Sequence, residues 1–244
     1  MAEHSVRVSE IFGPTFQGEG PAAGERAAFV RTVGCNLNCG WCDTPYTWDW
    51  AGELGHRYDR TRETTVMTPA AVADEAMRRS DGLVVFSGGE PLTQQRALAA
   101  VADILRRCGR VVDVETNGTV ALKPALGAAL RRVVVSPKLA NSGVAEHRRW
   151  RLPVLAELAG HPGAVFKFVV TGPGDLAEIG RLLDALRAGG AEVAGRRIWV
   201  MPEGTSADVV QGRARQLVDH VLATGWNLSL RLHLALWPDQ ARGV

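Results

Sequence analysis

Short β-branched apolar runs alternate along this chain with longer Ala- and Leu-rich stretches whose apolar positions recur at helical spacing. The runs "AAFVRTV" (27–33), "GLVVFS" (82–87), "RVVDVE" (110–115), "RVVVS" (132–136), "AVFKFVV" (164–170), "RRIWVM" (196–201) and "LSLRLH" (228–233) read as buried strands. Helices are predicted over 69–79, 93–107, 151–160, 174–189 and 206–224. Thr68 and Pro69 supply an N-cap and a first helical residue, and Thr205 or Ser206 can open the last helix. Near-continuous apolar strands separated by helices imply a parallel sheet with crossover connections. The units are too few to close an eight-stranded barrel. The expected fold is therefore α/β, a partial, open (β/α) TIM-like barrel of about six to seven mostly parallel strands. No linker or internal repeat divides residues 1–244, so one domain is expected.

The longest irregular stretch covers 44–67, "TPYTWDWAGELGHRYDRTRETTVM". A loop of that length in a compact domain is usually functional or disordered, and a lid or insertion is expected here. Elsewhere, small and polar motifs follow the predicted strands: "SGGEP" (87–91), "ETNG" (115–118), "SPK" (136–138), "MPEG" (201–204) and His233. Each alone is ordinary turn chemistry. Together they mark the C-terminal edge of a parallel sheet, where such folds place their sites.

Three cysteines, Cys35, Cys39 and Cys42, form a C-x3-C-x2-C loop at 34–44, among the polar residues Asn36, Asn38 and Gly40. The net charge of +2 includes no long basic run, so no nucleic-acid partner is expected. The pairs Arg78-Arg79 and Arg106-Arg107 fall at helix ends, where the helix dipole favours them. No export signal is visible in "MAEHSVRVSEIF", and no apolar run reaches membrane length, so a cytoplasmic protein without a membrane partner is expected. Clustered cysteines in a reducing compartment point to metal or catalysis rather than disulfides. Two holders fit three thiols: a Cys3His zinc completed by His56 or another histidine, or a four-iron, four-sulfur cluster with one open iron. Cys108, at the end of a helical pattern, is expected to be a small buried apolar side chain.

The C-x3-C-x2-C loop resembles the signature of the radical S-adenosylmethionine (SAM) superfamily. With "SEIFGPTFQGEG", "GCNLNCGWCDTPY", "SGGEP", "ETNG", "SPKLANSG" and "MPEG", the chain resembles the 7-carboxy-7-deazaguanine synthase family from about residue 8 to 238. Thr15 stands where that family more often has Ser, and Ser87 where it more often has Thr. Both keep a hydroxyl. The stretch 46–58 is longer than in short members.

The resemblance implies a radical SAM type of barrel and a ring contraction. 6-Carboxy-5,6,7,8-tetrahydropterin becomes 7-carboxy-7-deazaguanine with loss of ammonia, a step toward deazapurine products. It implies a 4Fe-4S cluster on Cys35, Cys39 and Cys42, with SAM on the open iron and Mg2+ on the Thr44 hydroxyl. Trp41, Cys42 and Asp43 would flank SAM's adenine. Gly88, Gly89 and Glu90 would meet its ammonium, Ser136, Pro137 and Lys138 its carboxylate or ribose, and Glu115 and Asn117 its ribose. Phe16, Gln17, Gly18, Glu19, Arg31, Ser87 and His233 would line the pterin pocket, with the Arg31 fork taking a carboxylate that Lys could not grip at two points. An electron donor such as flavodoxin or ferredoxin and a homodimer complete the expectation. Two other readings stay open: a glycyl-radical-enzyme activase, which shares the cysteine loop, and a zinc-stabilised binding module.

Overall fold

The computed structural model describes residues 5–238, 240, 242 and 243. Nine strands form one sheet: β1 (Val6–Phe16), β2 (Arg26–Thr32), β3 (Thr65–Met67), β4 (Leu83–Gly88), β5 (Val111–Thr116), β6 (Arg132–Val135), β7 (Ala164–Val170), β8 (Ile198–Pro202) and β9 (Asn227–Leu228). The order is β3-β1-β2-β4-β5-β6-β7-β8-β9. From β2 to β9 every pairing is parallel, whereas β1 runs antiparallel to β2, and β3 to β1. The seven parallel strands are those the apolar runs predict, and the ends of the sheet, β3 and β9, do not pair, so the barrel is open.

The helices are α1 (Pro69–Arg79), α2 (Gln95–Arg107), α3 (Pro124–Gly127), α4 (Glu146–Arg149), α5 (Leu152–Ala159), α6 (Asp175–Ala188), α7 (Ala207–Thr224) and α8 (Leu232–Leu236). The five longest follow the predicted spans closely. Thr68 caps α1 through Ala71 N–H at 3.2 Å, and Ser206 caps α7 through Val209 N–H at 3.4 Å. On α2 the buried residues Leu98, Val101, Ala102 and Leu105 make one face, which packs on the sheet.

Strand alternation then decides what faces inward. On β4, Val84 and Phe86 join the helix-side core, while Leu83 and Val85 join a second cluster with Phe12, Ala27 and Phe29. That second cluster is the floor of the barrel interior. Continuing along the same faces toward the C-terminal edge come Arg31 on β2, Ser87 on β4, Glu115 on β5 and Lys167 on β7.

Two expectations need correction. The run "LSLRLH" is strand only to Leu228, and His233 lies in α8, not at a strand end. β9 has one partner, β8, and beyond it the Arg231 side chain turns to ion-pair with Glu19 and Asp43. Cys108 is exposed at the C-terminal end of α2, because α2's buried face ends one turn earlier at Leu105. The stretch 44–67 is mostly irregular, as expected, but it is anchored at several points. Tyr46 and Thr47 are buried in a short turn, and the buried Asp49 carboxylate accepts from Gly52, Glu53 and Leu54 N–H, each at 2.8 Å. The segment ends by pairing β3 with β1.

Candidate active site

One cavity of about 470 Å³ opens at the C-terminal edge of the parallel strands. Of the residues predicted for a site, all line it except Glu90 and Pro137. It has a thiol end and a charged end.

At the thiol end, Cys35, Cys39 and Cys42 gather with Leu37, Trp41 and Val144. None is in a disulfide. Leu37 N–H points at Cys35 Sγ (3.5 Å), Asn117 Nδ2 lies 3.9 Å from the same sulfur, and Trp48 Nε1–H points at Cys42 Sγ (3.3 Å). Burial pushes the Cys35 thiol up to about 12 and raises Cys39 as well. The loop rests on the segment after "SPK". Gly40 N–H donates to Ser142 O (2.9 Å) and Trp41 Nε1–H to Asn141 Oδ1 (3.1 Å), while Asn141 itself donates to Asp175 (2.8 Å).

The two glycines of "SGGEP" let strand β4 abut this loop. A Cβ on Gly89 would lie 2.1 Å from Gly34 O. Gly88 has φ +118° and leaves a Cβ no room beside Thr32. Glu90 does not meet the cavity. It is fully buried and accepts from Leu92 N–H (3.0 Å), Thr116 Oγ1 (2.7 Å) and Asn117 N–H (2.7 Å), tying the ends of β4 and β5 together. The expected contact of its carboxylate with a cofactor ammonium is therefore replaced by a structural role, and burial raises its pKa in spite of the three donors.

These features fit a cluster held by three thiolates. The sulfurs are unpaired and share one wall of a cavity, and those of Cys35 and Cys42 receive N–H donors. A bound cation would also offset the burial that raises the Cys35 and Cys39 thiols. Beside them, Lys138 Nζ donates to Ser136 Oγ (3.0 Å) and lies 5.4 Å from the Trp41 ring centroid. Asn117 is fastened to Asn36 (2.9 Å). Thr44 is buried, and its hydroxyl makes no cap bond in the turn it precedes. The hydroxyl sits 3.7 Å from Cys42 Sγ.

At the charged end, Glu115 is the hub. It accepts from Gln17 Nε2 (3.2 Å), Ser87 Oγ (3.0 Å) and Lys167 Nζ (3.4 Å). This puts Glu115 with the expected pterin residues rather than with Asn117. Lys167 also pairs with Glu19, and Arg231 bridges Glu19 (3.0 Å), Asp43 and Gly204 O (2.6 Å). Burial by itself would raise the Glu19 carboxyl, but Lys167 and Arg231 hold it far below the usual carboxylate range. Burial would likewise lower the Lys167 ammonium, yet Glu115 and Glu19 hold it up. Glu19 and Lys167 are thus both ionised at neutral pH. His233 packs on Gly18, where a Cβ would come within 2.1 Å of Nδ1, and burial lowers its pKa. Arg31 donates through Nε to Glu10 Oε1 (2.7 Å) and is 14% exposed. Phe16 is partly exposed at the rim and stacks near Trp237, with ring centroids 6.4 Å apart.

Sequence reading missed Lys167, Arg231 and Trp48. The signal for Lys167 was present: a lone cation amid "AVFKFVV" must be paired if that strand is buried. Arg231 carried no such signal, since "LSLRLH" alternates like a half-exposed strand.

Residues 29–211 match the Radical SAM superfamily. The chain is 36% identical, over 98% of its length and 97% of the other's, to 7-carboxy-7-deazaguanine synthase of Pyrobaculum aerophilum. It is 32% identical, over 96% and 91%, to that of Halobacterium salinarum. The crystal structure of QueE from Escherichia coli superposes with a TM-score of 0.67, covering 94% of this chain and 95% of that one at 24% identity, a likeness of fold.

Proposed function

This chain belongs to the 7-carboxy-7-deazaguanine synthase family of the radical SAM superfamily, and from that premise we propose how its cavity serves the reaction. It is a ring-contracting lyase that converts 6-carboxy-5,6,7,8-tetrahydropterin to 7-carboxy-7-deazaguanine and ammonia. The observation that carries the residue assignments is that three free thiols and a buried array of fixed charges line one cavity.

Cys35, Cys39 and Cys42 hold the cluster, while Gly88, Gly89, Trp41, Asn117, Ser136 and Lys138 surround SAM. Bound there, cluster and SAM supply the one-electron chemistry that removes a hydrogen atom from the substrate. The protein's part is binding, orientation and exclusion of water. Arg31 takes the pterin carboxylate with nitrogens that Glu10 does not use. Gln17, Glu19 and Glu115 receive the N–H groups of the aminopyrimidinone edge. Lys167 stands behind both carboxylates and fixes their positions in a buried wall. Phe16 and His233 close the sides. Thr44, a hard oxygen among soft sulfurs, serves Mg2+ together with substrate oxygens.

Among the described residues no helix is long and apolar enough to cross a membrane. A homodimer in the cytoplasm, reduced by a small electron-transfer protein of the flavodoxin or ferredoxin kind, completes the proposal. The test is anaerobic reconstitution with iron and sulfide, followed by SAM, reductant and carboxytetrahydropterin. About four irons per chain, in line with a cubane cluster, and deazaguanine product are expected. A colourless zinc protein, or a brown protein inert on the pterin, would overturn it.

A further inference from the structure

We propose that Glu10 and Tyr46 are positioning residues that set the Arg31 guanidinium for the substrate's carboxylate, an inference that rests on the role given to Arg31 above. Glu10 and Arg31 are direct partners across the antiparallel β1–β2 pair, so their side chains leave the same face of the sheet. Glu10 Oε1 accepts two bonds at once, from Arg31 Nε and from Tyr46 Oη, both at 2.7 Å. An arginine has five N–H donors, and this contact uses the one on Nε. The guanidinium also lies 5.3 Å from the Phe12 ring centroid, and Phe12 is stacked on Phe29 at 5.0 Å with 2° between the planes. Arg31 therefore has an apolar floor and an acidic stop, and the rest of its fork faces the cavity it lines.

Tyr46 is what fixes the stop. It comes from the long segment after the cysteines, is 3% exposed, and has the Arg242 guanidinium 3.8 Å above its ring. Arg242 is held in turn by both oxygens of Glu63, at 2.9 and 3.1 Å. The Tyr46 hydroxyl donates to Glu10 Oε1 and holds the carboxylate through this 2.7 Å bond. The charged groups facing this corner are Glu10, Arg31, Glu63, Arg242 and Asp43, the last paired with Arg231. An incoming carboxylate then meets a guanidinium already aimed, with less conformational freedom to lose on binding. The 44–67 segment thereby acquires a role in selecting a carboxylated pterin.

The test compares dissociation constants of 6-carboxytetrahydropterin and of tetrahydropterin without the carboxyl group, on reconstituted enzyme with SAM bound. Wild type should prefer the carboxylated ligand by about tenfold or more, as two charge-assisted bonds require. Tyr46→Phe and Glu10→Gln should each cut that preference by about fivefold to tenfold while leaving the carboxyl-free ligand within about twofold. In an Arg31→Lys background, neither change should lower the preference further. A wild type without preference would overturn the role of Arg31 and this inference with it. If wild type prefers the carboxylate and both variants keep that preference, the role of Arg31 stands and the inference is wrong. Equal weakening of both ligands would mean that Glu10 and Tyr46 merely support the fold, and would also overturn it.

Discussion

Replacing Lys167 by Met should destabilise the protein strongly although it removes a side chain that is almost wholly buried. Lys167 is 4% exposed and stands between Glu19 and Glu115. Met fills most of the stem's volume, so packing changes little. What changes is charge: two carboxylates lose a buried cation. Breaking a buried pair from one side costs about 3–5 kcal/mol, and Glu19 keeps Arg231 at 3.0 Å, which places the expectation near about 3 kcal/mol. For a chain of 244 residues this corresponds to a fall in Tm of roughly 6–12 °C, measured by circular dichroism on the cluster-free protein at pH 7. The pH dependence has a definite sign. Because its partners depress Glu19 in the folded state, its contribution is complete above about pH 4.3, the ordinary glutamate value, and is lost as pH falls toward the depressed one. Without Lys167 that depression shrinks, so the gap in Tm between wild type and variant should narrow between pH 7 and about pH 3.5. Adding Glu19→Gln to Lys167→Met should restore about half of the lost stability or more, since neither half of the pair is then stranded. A single variant melting within about 2 °C of wild type, or a gap that widens in acid, would refute the account.

Cys35→Ala, Cys39→Ala and Cys42→Ala should each abolish activity and cluster uptake, whereas Cys108→Ala, exposed and remote from the cavity lining, should leave both near normal by iron content and turnover. Arg31→Lys should weaken pterin binding by roughly 1.5–3 kcal/mol with SAM affinity and cluster content unchanged. Equal loss of SAM affinity in calorimetric titrations would instead make Arg31 a fold residue. Turnover should be stimulated by Mg2+ after chelation, and Thr44→Val should remove the stimulation while preserving the iron-sulfur absorption spectrum. A variant that keeps full stimulation would show that Thr44 is no ligand.

The cysteine loop, the parallel strands and the five long helices could be read from the chain because each is a local pattern. Thiol spacing, a β-branched run, or an apolar stripe at helical period needs no knowledge of distant residues. The antiparallel edge could not. β1 carries Arg7, Ser9 and Glu10 among its apolar residues, and it is a strand because β2 and β3 flank it. The end of β9 failed for the opposite reason: "LSLRLH" alternates well, but only β8 is there to pair with it, and Arg231 is drawn to Glu19 and Asp43, some 212 and 188 residues away in the chain. Glu90 looked like a ligand group because it follows a strand at the functional edge, and two of its three donors, Thr116 and Asn117, come from the end of β5 and the residue after it, which nothing local announces. The sequence thus determined which chemistry the protein carries, since thiols and an arginine fork are properties of single residues. Which carboxylates line the cavity and which are spent on the scaffold were decided only when the strands came together. A buried charge takes its role from the partners that folding puts beside it.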